Sequence, residues 1–310
     1  MNNQTDRAQR IKALAFSYEE QPKDFVDRCN LCGEDYFIQI EHQDRYGFPA
    51  LAFACGRCGL VFLNPRMTAE AYLQFYFNTY RPLVSAYHGR TIDSKTIQAE
   101  QRTYAKERAE FMAPYMKKNV EATLLDIGGS TGVVAQHFAQ RFGYLGKVLD
   151  PSEKELEEAR HLGLATAHGL FEQVDFGSEK FDLVLLCQTI DHLLNIDVTL
   201  NKVRQCLREN GLFFVDIVDF RAAYLRNSSI AEAIKIDHPY YLTQESMEAF
   251  LMRKGFKILR KGYAADYLHI SYLCVLAKPV ANFLPSPESV DRLLREIRTV
   301  QNAKKRQVVE

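Results

Sequence analysis

Residues 124–132 read Leu124-Leu125-Asp126-Ile127-Gly128-Gly129-Ser130-Thr131-Gly132, and this stretch decides the fold. Thr123–Ile127 is a short apolar strand ending beside an acid, and a glycine-rich turn leads from it into a helical pattern over Gly132–Arg141. Gly128 permits a tight turn with close backbone approach, and Gly132 predicts close packing of the helix on the strand. Outward from there, the apolar runs Lys147–Asp150, Thr166–His168, Phe181–Cys187 and Gly211–Ile217 alternate with helical patterns at Pro151–Leu162 and Asp197–Glu209. Such alternation predicts a Rossmann-like α/β domain, with a parallel sheet covered by helices on both faces. Thr243–Lys254 adds a helix, and Phe256–Arg260 and His269–Ala277 are two further strands. The loop between them is too short for a crossover helix, so they should pair antiparallel.

A second acid, Asp150, ends the next strand 18 residues past Gly132. A carboxylate there can accept hydrogen bonds from both ribose hydroxyls of an adenosine cofactor, and it can also cap the helix that opens at Pro151. The turn spells Asp-x-Gly-x-Ser-x-Gly, which differs from the Gly-x-Gly-x-x-Gly that admits a dinucleotide pyrophosphate. An acid just before the turn suits a cationic ligand, such as the ammonium of a methionine moiety.

Together these features resemble the class I S-adenosylmethionine-dependent methyltransferases. The resemblance covers roughly residues 120–278: LLDIGGSTG, then VLDPS after the second strand, FDLVLLCQTIDHL at the fourth, LRENGLFFVDI at the fifth and Gly255-Phe256 at the sixth. It implies a seven-stranded sheet with the last strand inserted antiparallel. It also implies that Asp126, Gly128, Gly129, Ser130 and Gly132 line the methionine and ribose side, with serine where the family usually has glycine. Asp150 would then hold the ribose, Pro151 would flank the adenine, Gly169, Leu170 and Phe171 would lie near that ring, and Gln188 would face the methionine end.

Ahead of this domain, Cys29-x-x-Cys32-Gly and Cys55-x-x-Cys58-Gly are separated by 22 residues. Two such pairs predict a small zinc-ribbon-like module holding one structural Zn2+. A hairpin of Phe37–His42 and Ala50–Ala54 around Arg45–Pro49 would fill the gap. Four thiolates leave no open position on the metal for substrate. Cys187, Cys206 and Cys274 fall in apolar patterns and read as core residues. The chain therefore divides into a polar lead-in (1–24), the zinc module (25–65), a helical linker or lid (66–119), the cofactor domain (120–279) and a C-terminal helix with its tail (280–310). In the linker, Thr68 can cap a helix and a second helical stretch runs from Ile92 to Met116; Tyr76, Tyr80, Arg81 and Tyr87 could close over the pocket or pack against the core. In the tail, Val290, Leu293, Leu294 and Ile297 form one apolar stripe, suited to docking on the body or on a second subunit as in a homodimer.

The candidate catalytic residues are His192, after the fourth strand, and His238 with Tyr241, before the last helix. Methyl transfer to a hydroxyl needs a base, and both regions should open at the carboxyl edge of the sheet. The overall layout resembles bacterial methyltransferases with an N-terminal zinc-binding domain, including those acting on nucleotide-linked sugars. The C-methyltransferases of that group carry a large extra C-terminal domain, whereas only about thirty residues follow Lys278 here. The expectation is therefore O-methylation of a small-molecule acceptor, a sugar or nucleotide sugar. A ribosomal RNA methyltransferase with a zinc knuckle and a catalytically silent binding protein are the rivals. Charge argues against nucleic acid as partner: 39 basic and 39 acidic residues cancel, and Lys304–Arg306 is the one basic cluster in view. No apolar run is long enough to span a bilayer and no signal layout opens the chain, which predicts a cytoplasmic protein without a membrane partner.

Overall fold

A computed structural model describes residues 2–309, with side chains described from Asp6 to Lys304. The basic side chains of Lys305 and Arg306 therefore lie outside the described residues. None of the described helices is long and apolar enough to cross a membrane.

The lead-in contains a helix, α1 (Asn2–Lys12), whose Arg10 Nε donates to Ala86 O at 2.8 Å. Its sequence hides it, because among the described residues the helix buries a single apolar side chain, Ile11. After the short strand β1 (Lys23–Asp24) come β2 (Phe37–Glu41), β3 (Ala52–Cys55) and β4 (Val61–Leu63) of the cysteine module, then β5 (Arg66–Met67), which pairs back on β1. The linker holds three helices, α2 (Ala69–Asn78), α3 (Tyr80–His88) and α4 (Ser94–Met112). Thr68 caps α2 by accepting from Ala71 N, and Asp93 caps α4 by accepting from Thr96 N at 2.9 Å.

The larger domain runs β6 (Thr123–Ile127), α5 (Val133–Phe142), β7 (Leu145–Asp150), α6 (Glu153–His161), β8 (Ala165–His168), β9 (Phe181–Cys187), α7 (Ile196–Cys206) and β10 (Leu207–Val218). There follow α8 (Phe220–Asn227), β11 (Tyr240–Tyr241), α9 (Gln244–Arg253), β12 (Phe256–Tyr263) and β13 (His269–Leu276). Seven strands form one sheet in the order β8-β7-β6-β9-β10-β13-β12. The first five in chain order are parallel, and β13 enters antiparallel between β10 and β12, so the expected fold class stands. Side chains alternate across it: Leu183 and Leu185 pack with α4, α5 and α6, while Val184 and Leu186 pack with α7, α9 and the cysteine module. Burial on both faces gives these strands their continuous apolar runs.

Two features are not local to any one segment. β11 leaves the larger domain and pairs antiparallel with β4, Tyr240 opposite Phe62 and Tyr241 opposite Val61, completing a four-stranded sheet β11-β4-β3-β2. The cysteine module is thereby stitched to the loop that carries His238. The C-terminal helix α10 (Pro287–Val309) docks on the body: Val290, Leu293 and Ile297 are buried, and Leu293 lies against Gly59. Arg221 clamps its Glu296 through two bonds of 2.7 and 2.6 Å.

Candidate active site and cysteine centre

The sheet changes direction of winding at β6, which leaves a crevice beyond the carboxyl ends of β6 and β9. The glycine turn forms one wall. Gly128 has φ +67°, and a Cβ there would lie 2.6 Å from Thr189, so the bare backbone is required by both conformation and space. Gly132 (φ +77°) lets α5 start close to α6, where a Cβ would meet Leu164 at 2.6 Å and Ala159 at 2.9 Å; the close neighbour is α6, not the strand. Ser130 also takes a left-handed conformation, φ +52°, at a position where glycine costs nothing.

Two carboxylates face this turn. Asp126 is fully buried with neither oxygen hydrogen-bonded, and burial, opposed by Arg108, pushes its pKa up to about 7. Asp150 accepts Ser130 N at 2.9 Å on one oxygen and Ser152 N at 2.8 Å on the other, with burial raising its pKa to about 6. Each oxygen keeps a lone pair for a hydroxyl donor. Ser152 is the residue at the N-cap of α6, so Asp150 supports the helix start from two residues back. Arg81 of α3 reaches over to Glu155 at 3.6 Å, and Glu155 accepts Ser130 Oγ at 3.3 Å, which brings the linker onto the turn. Toward the expected adenine end, Gly169 N donates to Asp150 O at 3.2 Å, and Pro151 O lies 3.0 Å from His168 Nε2. Leu170 is half-buried at the rim, whereas the Phe171 ring is buried against Phe176. Phe171 therefore offers backbone rather than ring surface.

Gln188 leaves β9 with φ +50°, and its N–H donates to Asp216 Oδ1 at 2.7 Å. Asp216 is in turn gripped by Arg108 of α4, whose Nε and Nη2 converge on the other oxygen, Oδ2, at 2.7 Å each in a buried ion pair. This pair fixes an unusual backbone conformation at the crevice, and sequence reading missed it because its members lie 108 residues apart.

Beyond Gln188, two histidines come together from distant loops, with ring centroids 4.2 Å apart. His238 Nδ1 lies 2.9 Å from Asp191 Oδ2 and its Nε2 lies 3.3 Å from Asp237 Oδ2. Burial and Lys235 push the His238 pKa down, but the two carboxylates outweigh them and leave it above its ordinary value of 6.5. Burial pushes the two carboxylates up, yet His238 holds both well below the usual carboxylate range. His192 is the opposite case: burial and the neighbouring His238 lower it to about 4, so it is neutral. Its Nδ1 meets Tyr76 Oη at 2.7 Å, and Tyr76 donates on to Asp237 O at 2.9 Å. Tyr241 is buried beside His238, and its hydroxyl donates to Lys235 O at 2.7 Å while accepting Lys235 N at 3.1 Å. Tyr80 packs on Tyr76, whereas Tyr87 turns away to bond Glu232 at 3.0 Å. The sequence held an unused signal here: Ile190-Asp191-His192 and Ile236-Asp237-His238 spell the same tripeptide twice, and the two copies exchange partners across the site.

In the module, Cys29, Cys32, Cys55 and Cys58 bring all four sulfurs within 4.8 Å of one another. Cys29–Cys58 and Cys32–Cys55 are each 3.5 Å apart. Sulfurs at the corners of a tetrahedron around zinc are about 3.8 Å apart, from a metal–sulfur bond of about 2.3 Å. The knuckles fold alike: Gly33 N donates to Cys29 O at 2.8 Å and Gly59 N to Cys55 O at 2.9 Å, both glycines at positive φ. The donor set fits zinc.

Comparison with known proteins follows the same lines. The methyltransferase-domain family profile matches residues 97–261. Ubiquinone biosynthesis O-methyltransferases of Agrobacterium fabrum and Bradyrhizobium diazoefficiens are each 28% identical over 102 residues, which is 31% of this chain. The chain spans about 40% of the length of these curated relatives. Among solved structures, an S-adenosylmethionine-dependent methyltransferase of Clostridium acetobutylicum is 16% identical at a TM-score of 0.46, covering 60% of this chain and 93% of its own. Magnesium protoporphyrin IX methyltransferase of Synechocystis is 14% identical at 0.48, covering 60% and 89%.

Proposed function

The chain belongs to the methyltransferase-domain family, and from that premise we propose that it methylates an oxygen of a small polar acceptor, a sugar or nucleotide-linked sugar, using S-adenosylmethionine. The bound cofactor supplies an electrophilic methyl group on a cationic sulfur. Asp126, Gly128, Gly129, Ser130 and Gly132 cradle its amino-acid and ribose portions. The buried, unpartnered Asp126 carboxylate supports this assignment, because it is a polar group still lacking a donor. Asp150 takes the ribose hydroxyls, Pro151 and Gly169–Phe171 border the adenine, and Gln188 faces the methionine end.

His238 is the base. The single observation that carries this role is the 2.9 Å contact of its Nδ1 with Asp191, beside a cavity that both residues line. The Asp191 carboxylate on Nδ1 orients the imidazole, and the proton is taken at Nε2, where Asp237 lies 3.3 Å away without a hydrogen bond and stabilises the imidazolium that forms. His192 and Tyr76 position the pair, and Tyr241 braces the Lys235 backbone. The four cysteines hold zinc as a structural brace, since β4 ties the second knuckle to the strand that follows His238. An oxygen acceptor is favoured by the O-methylation named for the curated relatives.

A base must be neutral to act, so activity rises with pH through the His238 titration. With that pKa above 6.5, the acid limb of kcat/KM is expected above pH 6.5. Calorimetric titration with S-adenosylmethionine and with its demethylated product tests the cofactor. A mass-spectrometric screen over monosaccharides, nucleotide sugars, phenols and RNA tests the acceptor; turnover on RNA alone would sink the reading.

A further inference from the structure

A cavity of about 200 Å³ opens beside His238, between α8, the loop before β11 and the cysteine module. Three cationic side chains reach it from three separate segments: Arg45 from the β2–β3 loop, Arg226 from the end of α8, and Lys235 three residues before His238. Lys235 is half-buried, and its ammonium has neither a hydrogen bond nor an ion pair among the described residues. A partly desolvated ammonium without a partner is costly unless a ligand completes it. Arg45 Nε is spent on Glu232 O at 3.0 Å, and Arg226 donates to Asp266 O, but a guanidinium has five N–H donors and both retain some. Two carboxylates stand against these three cations, Asp191 on the cavity wall and the adjacent Asp237, which keeps both oxygens without a hydrogen bond. With His238 neutral the three cations still exceed them by one positive charge, and the volume is below the ~300 Å³ at which drug-sized ligands begin.

We propose that Lys235, Arg45 and Arg226 form an oxyanion subsite that holds a phosphate or carboxylate group of the methyl acceptor beside His238. The proposal rests on reading this cavity as the acceptor site. A compact oxyanion accepts several charge-assisted hydrogen bonds at once, and holding it fixes the rest of the acceptor against the base. It also narrows the acceptor class: neutral sugars and simple phenols lack the group these cations need.

The full chain would be titrated calorimetrically with inorganic phosphate, with malonate and, separately, with S-adenosylhomocysteine. Wild type should bind at least one of the two anions, with an affinity that falls as ionic strength rises. Lys235→Gln and Arg226→Gln should each weaken that binding at least tenfold, while exposed Lys257→Gln should leave it unchanged. Phosphate binding alone assigns a phosphorylated acceptor, and malonate binding alone a carboxylated one. The proposal is overturned if wild type binds neither anion, or if Lys235→Gln and Lys257→Gln bind equally. Anion binding without S-adenosylhomocysteine binding would keep the subsite and overturn the cofactor reading, so the two failures are distinct.

Discussion

The glycine-turn half and the histidine half of the crevice share one sheet edge but are built in opposite ways. The first is nearly contiguous: a single strand–turn–helix sets Asp126 through Gly132, and the next strand adds Asp150. The second is assembled from Tyr76 on α2, Asp191 and His192 after β9, and the Lys235–Tyr241 loop, which is held down by β4 of the cysteine module. Local geometry makes the first half robust, and long-range packing makes the second half dependent on the whole fold. Mutations should separate the two.

The largest expected effect is on the histidine side. His238→Ala should lower kcat about 10²–10⁴-fold, the usual worth of a positioned base, with cofactor affinity unchanged. Single-turnover kinetics paired with titration calorimetry would detect a loss of both, which would join the two halves into one unit. Next, Asp150→Ala removes an acceptor for two hydroxyls and should weaken cofactor binding by about 10²-fold, at roughly 1.5–3 kcal/mol for a hydrogen bond to a charged group. The acid limb of the pH profile should stay where it is.

Asp126→Asn sharpens the comparison through stability. An acid whose folded pKa is about 7 against an ordinary 3.8 destabilises the fold when ionised. That penalty is absent below about pH 4, grows as pH rises toward 7 and is complete above it. The substitution should therefore stabilise the ligand-free protein at pH 8 by on the order of 2 kcal/mol, and by less at pH 5.5, as urea unfolding would show. Equal gains at both pH values would count against a buried, unpaired charge. The smallest effect is expected from Tyr76→Phe, which removes the hydroxyl between His192 and Asp237 O. A loss of about 1 kcal/mol, or some fivefold in kcat, would follow from losing these two hydrogen bonds; no change in rate would mean α2 packs without positioning anything.

Legibility followed the same division. The Gly128 turn, the alternation of strands and helices and the Thr68 cap depend on neighbours within a few residues, and periodicity exposes them. The helix α1 escaped because it offers one buried apolar side chain among the described residues, and α8 because the Phe220, Ala223 and Tyr224 stripe spans barely one turn of an eight-residue helix. His192 and His238 were visible as candidates, but Arg108, Asp216 and Arg45 were not, since an ordinary arginine or aspartate carries no mark of its partner 108 residues away.

By itself, the sequence determined the α/β sheet, the four-cysteine cluster and the acid-tipped glycine turn, because each follows from chain stereochemistry and spacing over short distances. Only the tertiary structure decided that β11 would leave its own domain to finish the module's sheet, that Asp191 would serve His238 and not its neighbour His192, and that three scattered cations would ring one cavity. Those outcomes depend on which buried surfaces meet. That is set by the packing of all the elements together and has no local periodicity in the chain to reveal it.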